Sequence, residues 1–283
     1  MSQLGILESI ADPAFVADVE GRLIETNRAF SEIFGSSANG QSVSEAWPET
    51  ADFWEPALAA SASGNQLRAD ISAHAEDGRE LEFDVRISVV DDAVSARRVV
   101  VGVARDVTAE RNRARQLEVQ ATTDALTGAY NRRQLEVLLA QAIRIARRQK
   151  TTGAFIFMDV DGFKAINDSF GHEEGDRVLK QVTTVLHDNL RESDVVARIG
   201  GDEFGVVLAG SDAPSASVKA ERLAVALNGI GVGGLEEGIY VSIGLAVFPV
   251  KGEQAKDVIK HADAAMYRAK RTPGRKAEAW KSE

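Results

Sequence analysis

The stretch RIGGDEF, residues 198–204, decides the fold, and it lies between the apolar runs 195–196 (VV) and 206–208 (VVL). Its two glycines suit a tight hairpin whose backbone requires positive φ angles. Upstream, residues 154–158 (AFIFM) are apolar throughout, which predicts a central strand covered on both faces. That strand runs into Asp159-Val160-Asp161-Gly162. Acidic residues therefore collect at the ends of two buried strands.

Such a cluster of carboxylates is self-repulsive unless a cation lies between its members. Oxygen-rich sites of this kind suit Mg²⁺ bound together with substrate phosphates. The alternative is that these acidic residues only occupy turns, where such residues are common. A short helix is predicted to follow at residues 162–167, where Asp161 can cap the helix and free N–H groups attract phosphate. Lys164 adds a positive charge there.

From Asp124 onward the pattern predicts an α/β domain. The predicted helices are 131–149, 162–167, 175–190, 214–228 and 255–271; the predicted strands are 154–158 and 240–248, with a hairpin at 195–208.

Residues 1–108 have a different texture, with short strands and polar turns. Residues 67–75 and 80–90 alternate apolar and polar side chains around a Gly-containing turn, which predicts a β-hairpin. A helix is expected at 27–34, and a buried strand at 99–104. Residues 108–122 contain no Gly or Pro and predict a helix, either a short dimeric coiled coil or an exposed connector.

Composition limits the function classes. The 283 residues are enough for about two domains, and the absence of cysteine excludes disulfides, cysteine zinc sites and thiol nucleophiles. Residues 1–108 hold 8 basic and 19 acidic residues, so we expect no nucleic acid partner. The N-terminal residues lack the pattern of a signal peptide, and no apolar run is long enough for a bilayer. We expect a cytoplasmic protein with no membrane insertion.

About residues 120–276 resemble the GGDEF domain family of diguanylate cyclases. The motifs that carry the resemblance are Asp124–Gly128 with Asn131–Arg133, Phe157–Gly175, Arg198–Phe204, Ser242–Gly244 and Ala262–Lys270. The resemblance implies an α+β, palm-like domain with a mainly antiparallel central sheet wrapped by helices. It also implies a homodimer in which each domain holds one GTP, two Mg²⁺ (or Mn²⁺) ions per active site, and cyclic di-GMP as the product.

By the same resemblance, Asp159 binds both metal ions and Val160 offers its carbonyl. Asp202 binds metal and takes the proton from the attacking 3′-hydroxyl, while Glu203 supports the metal site. Charge neutralisation and positioning are the usual means of catalysis in such transfers. The residues expected to act in catalysis are therefore Asp202, Glu203 and Lys164.

The remaining implied contacts are to the nucleotide. Gly200 and Gly201 let the ribose and α-phosphate approach, and guanine is bound by Asn167 and Asp176, residues that could instead be helix caps. His172 either lines the nucleotide site or is a structural loop residue. The implied phosphate ligands are Phe163 (through its N–H), Lys164, Lys270 and Arg275.

Two features concern the edges of this resemblance. The segment after Lys270 is one residue longer than the family pattern and lacks its asparagine, which puts the role of Arg275 in doubt. Arg191 and Asp194 match the family's inhibitory product site, because arginine can bind guanine O6 and N7. A solvated helix end is the alternative.

Residues 1–108 resemble a PAS domain through Asp18–Asn27, Phe30–Gly35, Asp77–Arg79 and Arg105–Thr108. This implies sensing and dimerisation, with a ligand that the sequence does not identify. His74, expected on a strand, is either a haem ligand or a surface residue. Core packing is expected for Trp47, Phe53 and Trp54 rather than pocket lining.

The predicted organisation is therefore a PAS domain at 1–108, a helical linker at 109–122 and a GGDEF domain at 123–283. The predicted function is a feedback-inhibited diguanylate cyclase. The alternatives are a degenerate module that senses GTP or cyclic di-GMP without turnover, and a cyclase for ATP. Asp176 argues against ATP, because adenine has no N1–H donor.

Overall fold

The computed structural model describes residues 4–35, 39–54, 56, 66–75, 77–91, 97–233, 235–250, 252–271 and 277–279. The chain divides into two compact units, residues 1–116 and 117–283. Within the described ranges, no helix combines the length and the apolar character needed to cross a bilayer.

The first unit is built on an antiparallel sheet of five strands, in the order β2-β1-β5-β4-β3. Its elements are α1 (Leu4–Leu7), β1 (Ala14–Ala17), β2 (Leu23–Thr26), α2 (Arg28–Phe34), α3 (Val43–Ala46), a 3₁₀ turn (Pro48–Thr50), β3 (Leu67–His74), β4 (Glu80–Asp91) and β5 (Arg98–Asp106). The predicted hairpin is the β3–β4 pair, in which Leu67 lies opposite Ile87. The described elements include the short strands and the β-hairpin predicted for residues 1–108.

An aromatic core fills this unit. Phe15, Phe30, Trp47 and Phe83 are each at most 1% exposed, and the ring of Trp47 meets the edge of Phe83 at a centroid distance of 5.3 Å. Partly buried Phe53 and Trp54 pack against the same core, which agrees with the expectation for these aromatic residues. His74 ends β3 as an exposed residue hydrogen-bonded to Glu49.

Helix α4 (Thr108–Thr122) follows this sheet, and none of its side chains is buried. Its start is attached to Glu82 of β4 through every polar group of that residue. The Glu82 N–H donates to Thr108 Oγ1 and its carbonyl accepts from the Val107 N–H, both at 2.8 Å. Its carboxylate accepts from Arg111 at 3.0 Å and Arg115 at 2.6 Å. The first two turns of α4 are thereby fixed to the sheet.

The second unit contains a sheet of six strands, in the order β13-β12-β7-β9-β8-β6. The strands are β6 (Tyr130–Asn131), β7 (Gly153–Val160), β8 (Val195–Gly200), β9 (Glu203–Leu208), β12 (Val241–Phe248) and β13 (Ala277–Ala279), and a separate hairpin joins β10 (Gly231–Val232) to β11 (Leu235–Gly238). The four inner strands pair antiparallel, while β6 and β13 pair parallel at the edges. The sheet is mainly antiparallel, as predicted.

Helices cover both faces of this sheet, which explains why all eight residues of β7 are buried. They are α5 (Arg132–Gln149), α6 (Phe163–Phe170), α7 (His172–Asn189), α8 (Ala213–Asn228) and α9 (Ala255–Arg271). On one face, Ile156 and Met158 join the core formed with α7 and α8. On the other face, Phe155 and Phe157 pack with α5 and α9.

Two predicted boundaries in this unit were wrong. The helix predicted at 162–167 extends to Phe170, and the helix predicted from Gly175 begins at His172, directly after Gly171. Gly175 does not interrupt the helix; it is buried in the first turn of α7 with its Cα against the Asn167 side chain. His172 therefore begins a helix and is not a loop residue.

Candidate active site at the ends of the central strands

The acidic residues predicted from the two motifs do come together. Asp159 lies near the end of β7 with 9% of its surface exposed, and it lies opposite Glu203 on β9 and Ser242 on β12. The Val160 N–H donates to the Asp202 carbonyl at 3.2 Å. The strand register thus brings the β7 terminus and the β8–β9 turn into one site.

Two glycines keep the β8–β9 turn open. A Cβ added to Gly200 or Gly201 would have no neighbouring atom within 4 Å, and Gly201 has a positive φ of 55°. Arg198 supports this turn from one side, where its Nε and Nη2 atoms donate to the Gly201 carbonyl at 2.9 and 2.7 Å. A ligand can therefore approach the backbone of the turn closely.

The carboxylates of Asp159, Asp202 and Glu203 repel one another, and little positive charge lies near them to offset this. Burial, followed by the negative charge of Asp159, raises the pKa of the Asp202 carboxyl. Burial and then the charges of Asp159 and Asp263 raise the pKa of the Glu203 carboxyl. Lys270 reaches this cluster from α9, with its Nζ atom 2.5 Å from Asp159 Oδ1. Burial opposes the charge of Lys270, but the hydrogen bond to Asp159 and the nearby carboxylates raise its pKa overall.

These observations fit a magnesium ion. The available donors are carboxylate and carbonyl oxygens, which Mg²⁺ prefers, and the raised pKa values of Asp202 and Glu203 show that the site favours added positive charge. Among the described residues, no group of three or more acidic or imidazole side chains is arranged as a metal site. Mg²⁺ usually takes only one or two carboxylates from the protein, with substrate phosphates and water as its other ligands.

The start of α6 is arranged differently from the sequence prediction. Gly162, with a φ of 72°, precedes the helix, and the Asp161 side chain does not cap it. Asp161 instead accepts a hydrogen bond from Ser242 Oγ at 2.7 Å, and its N–H donates to the Tyr240 carbonyl. Phe163 and Lys164 occupy the first turn, where backbone N–H groups have no intrahelical acceptor.

Asn167 and Asp176 lie where α6 meets α7. A Cβ on Gly175 would collide with Asn167 Oδ1 and would lie 3.1 Å from the Phe163 ring. Asp176 is the next residue and is exposed. His172, also exposed, is one turn earlier on α7. The structure thus places the two predicted guanine ligands on adjoining helices.

Arg191 and Asp194 form a turn between α7 and β8. The Arg191 N–H donates to Asp194 Oδ2 at 3.1 Å, and the Asp194 N–H donates to the Arg191 carbonyl at 2.9 Å. Arg191 itself is exposed. Arg275, the other arginine predicted to bind a ligand, lies outside the described residues.

The sequence analysis assigned no role to three residues that contact or lie near the site, although it included them in the family motifs. They are Asp124, Thr127 and Asp263. Asp124 accepts a hydrogen bond from Arg198 Nη1 at 3.0 Å, and Thr127 donates to the same Asp124 oxygen. Asp263 adds negative charge near Glu203. The contact between Arg198 and Asp124 spans 74 positions, so no local pattern in the sequence indicates it.

Comparisons with known proteins identify the families of the two units. The family described as "Diguanylate cyclase, GGDEF domain" matches residues 121–276. The chain belongs to the GGDEF family of diguanylate cyclases. The PAS fold family matches residues 4–107 of this GGDEF protein.

Relatives of this GGDEF protein include cyclases and a phosphodiesterase. The chain is 35% identical over 165 residues to "Probable diguanylate cyclase DgcC" of Escherichia coli K12, covering 58% of this chain and 44% of the relative. It is also 35% identical over 166 residues to "Cyclic di-GMP phosphodiesterase PdeR" of the same strain, covering 58% of this chain and 25% of the relative. This chain therefore spans less than half the length of either relative.

A solved structure has the same fold as the second unit. The coiled coil and GGDEF domain of DgcB from Caulobacter crescentus, in complex with c-di-GMP, is 30% identical and superposes with a TM-score of 0.57. The match covers 61% of this GGDEF protein and 93% of the DgcB chain.

Proposed function

We propose that this protein is a diguanylate cyclase that condenses two GTP molecules into cyclic di-GMP with release of two pyrophosphates. The observation that carries the proposal is the meeting of Asp159, Asp202 and Glu203 at the ends of adjacent strands. Beside them are a turn that leaves space for a ligand and the ammonium group of Lys270. Each element is one that a nucleotidyl transfer requires.

Asp159, the Val160 carbonyl, Asp202 and Glu203 would hold two Mg²⁺ (or Mn²⁺) ions. The ions, when bound, supply charge neutralisation at the phosphates. Asp202 takes the proton from the 3′-hydroxyl, and its raised pKa suits a general base better than an ordinary aspartate would. The hydroxyl oxygen then attacks the α-phosphate of the GTP held by a second copy, and pyrophosphate leaves.

The nucleotide is bound along the edge of the sheet. The ribose and α-phosphate approach the backbone of Gly200 and Gly201, because neither residue has a side chain in the way. The N–H of Phe163 with Lys164 and Lys270 binds the β- and γ-phosphates, since helix N-termini and ammonium groups attract phosphate; Arg275 is proposed to add a further contact.

Asp176 and Asn167 read the base. An exposed carboxylate accepts from guanine N1–H and N2–H₂, whereas adenine offers no N1–H donor. This favours GTP over ATP as the substrate. His172 is exposed one turn before Asp176 on α7, and we propose that it borders this site.

Regulation is assigned to the other parts of the chain. The exposed linker helix, proposed at 109–122 between a PAS domain at 1–108 and a GGDEF domain at 123–283, pairs with a second copy in a homodimer. Exposed Arg191, with Asp194, binds cyclic di-GMP and inhibits the enzyme. The PAS domain, whose ligand is unknown, controls the reaction, which we place in the cytoplasm.

The alternative is a module that binds GTP or cyclic di-GMP without turnover. Identity alone does not decide the function, because a probable diguanylate cyclase and a cyclic di-GMP phosphodiesterase are each 35% identical to this chain. The retained carboxylates at residues 159, 202 and 203 favour the cyclase, since a binding module needs neither a base nor two metal ions.

The test is to incubate the full chain with GTP and Mg²⁺ and to measure cyclic di-GMP by chromatography. Asp202→Ala should reduce the rate by about 10²- to 10⁴-fold, the usual contribution of a general base. Asp188→Asn, an exposed aspartate on α7, is the matched control and should keep the wild-type rate. Equal product from wild type and Asp202→Ala would exclude the assigned base. Tight GTP binding with no product, under every tested condition, would favour the sensing module.

A further inference from the structure

Helices α6 and α7 carry the two proposed guanine ligands, and they must be held at a fixed separation for both to reach one base. They are joined only by Gly171, whose N–H donates to the Asn167 carbonyl at 2.9 Å. They touch where Gly175 of α7 leaves space for the Asn167 side chain. This contact sets how closely the helices approach, and apolar packing of Phe163 and Ile166 against the core shared with α7 adds to it.

The β10–β11 hairpin is attached to the first turn of α7 by Glu174 and Arg177. Glu174 Oε1 accepts from the Gly233 N–H at 2.6 Å, and Arg177 Nη2 donates to the Gly231 carbonyl at 2.6 Å. The two side chains also form a two-pronged ion pair, with Nε and Nη2 at 2.8 and 2.7 Å from the carboxylate oxygens. Geometry of this kind is both strong and directional.

The same hairpin also contacts α6. The ring of Phe170, the last residue of α6, lies directly against Gly233, where any Cβ would collide with it. Gly233 has a φ of 59°, a conformation that favours glycine. One turn of the hairpin therefore contacts the end of α6 through Phe170 and the start of α7 through Glu174.

The Glu174–Arg177 pair lies on a different face of α7 from Asp176. Asp176 is two residues after Glu174 and so about 200° around the helix from it, whereas Arg177 and Gln181 share the Glu174 face. The Glu174 carboxylate is 18% exposed. The Arg177 guanidinium, followed by the Gly233 N–H, lowers the pKa of Glu174 to about 2, so the ion pair persists at all ordinary pH values.

We propose that Glu174 and Arg177 are positioning residues for base recognition: through the β10–β11 hairpin they hold the α7 turn bearing Asp176 against the α6 residue Asn167. This inference rests on the proposed function, in which Asn167 and Asp176 bind guanine. It makes the hairpin part of the specificity for guanine although no hairpin atom contacts the base.

The experiment measures binding to the full chain of two nucleotides that cannot be condensed, the α,β-methylene analogues of GTP and ITP. Inosine keeps N1–H and lacks the N2 amino group, so the ratio of the two affinities reports how well Asp176 is placed. The variants are Glu174→Ala, Glu174→Gln and Arg177→Lys. Glu173→Ala is the matched control, because Glu173 is exposed, carries the same charge and lies in the same turn. Asp176→Ala gives the ratio expected when the acceptor is absent.

We expect Glu174→Ala to weaken binding of the guanine analogue about tenfold. The Asp176 carboxylate would be displaced and would lose most of its hydrogen bonding to the base. The guanine-to-inosine ratio should move toward that of Asp176→Ala. Glu174→Gln and Arg177→Lys, which keep the size of the side chain, should give intermediate ratios, and Glu173→Ala should match wild type. In turnover assays with GTP, KM should rise while kcat is retained.

An unchanged ratio in Glu174→Ala, with only a lower melting temperature, would reduce the pair to an ordinary stabilising contact. Glu174→Gln answers the question if the alanine variant does not fold. Wild-type protein that prefers the guanine analogue but makes no cyclic di-GMP would contradict the proposed function and leave the ratio test valid. Wild-type protein that does not distinguish the two bases would overturn this inference directly.

Discussion

Arg198 and Asp124, 74 positions apart in the chain, form an ion pair of 3.0 Å that joins the β8–β9 turn to the segment directly after α4. The pair is partly buried, with 14% and 26% of the two side chains exposed. The same guanidinium donates twice to the Gly201 carbonyl. Arg198 thereby connects the backbone after α4 with the turn that holds the proposed catalytic residue.

Replacing Arg198 by Met should displace that turn. The Gly201 carbonyl and the Asp124 carboxylate would each lose a partner, which should lower the free energy of unfolding by about 1–3 kcal/mol. Turnover should fall about tenfold or more, because small errors of position at a reacting group are costly. Denaturant unfolding and initial rates of cyclic di-GMP formation are the measurements.

Arg148→Met serves as the control for this prediction. Arg148 is exposed on α5, so its loss removes a charge of the same sign without disturbing the turn. If Arg198→Met had wild-type stability and rate, the pair would have no role in holding the turn.

Asp202→Asn should abolish activity and stabilise the protein. The pKa of Asp202 is raised by burial and by Asp159, so the folded protein binds that proton more tightly than the unfolded chain does. Stability is therefore lost as the pH rises through the raised pKa. At about pH 7 without Mg²⁺, the variant should melt about 1–4 °C above wild type.

Acid and metal should both reduce this difference. Below about pH 3 the carboxyl is protonated in both states and the two proteins should melt alike. Added Mg²⁺ should stabilise wild type more than the variant, because binding to the folded state adds to its stability. A variant that melts below wild type at neutral pH would show that Asp202 is not under electrostatic strain.

Glu82→Gln should loosen the start of α4. The carboxylate that accepts from Arg111 and Arg115 would lose its charge, and hydrogen bonds between charged groups are stronger than those of a neutral amide. Amide hydrogen exchange over residues 109–115 should accelerate about tenfold or more. Glu80→Gln, two residues away with its side chain 88% exposed, should leave exchange unchanged; equal acceleration in both variants would contradict the assignment.

Arg191→Ala should weaken cyclic di-GMP binding about 10- to 100-fold, the value of a two-pronged arginine–guanine contact. Progress curves of the variant should then stay linear as product accumulates, whereas those of wild type should slow. Arg148→Ala is the matched exposed control. Unaltered product affinity, measured by calorimetry, would remove Arg191 from the inhibitory site.

Local pattern predicted the elements better than the details between them. The apolar stretch 154–158 and the alternating stretches 67–75 and 80–90 became β7, β3 and β4, because their hydrophobic periods match a buried and a half-buried strand. The start of α7 at His172 was missed, since Gly175 looks like a helix breaker when the Asn167 side chain beside it is not known.

The same limit applies to the site. The motifs that resemble the GGDEF family marked Asp159, Asp202 and Glu203, and the strand register does bring these residues together. No local pattern could show that Lys270 reaches Asp159 across 111 positions. Nor could one show that Asp161 bonds to Ser242 and leaves the start of α6 uncapped, since these are properties of the folded sheet.

Strand β7 is covered on both faces along its whole length, so sliding it by one position would move the Phe155 and Phe157 rings into the core on the opposite face. Its polar end adds a second constraint, because only one alignment brings Asp159 to Lys270 and Asp161 to Ser242. The residues proposed for chemistry thereby also mark the correct alignment of the sheet.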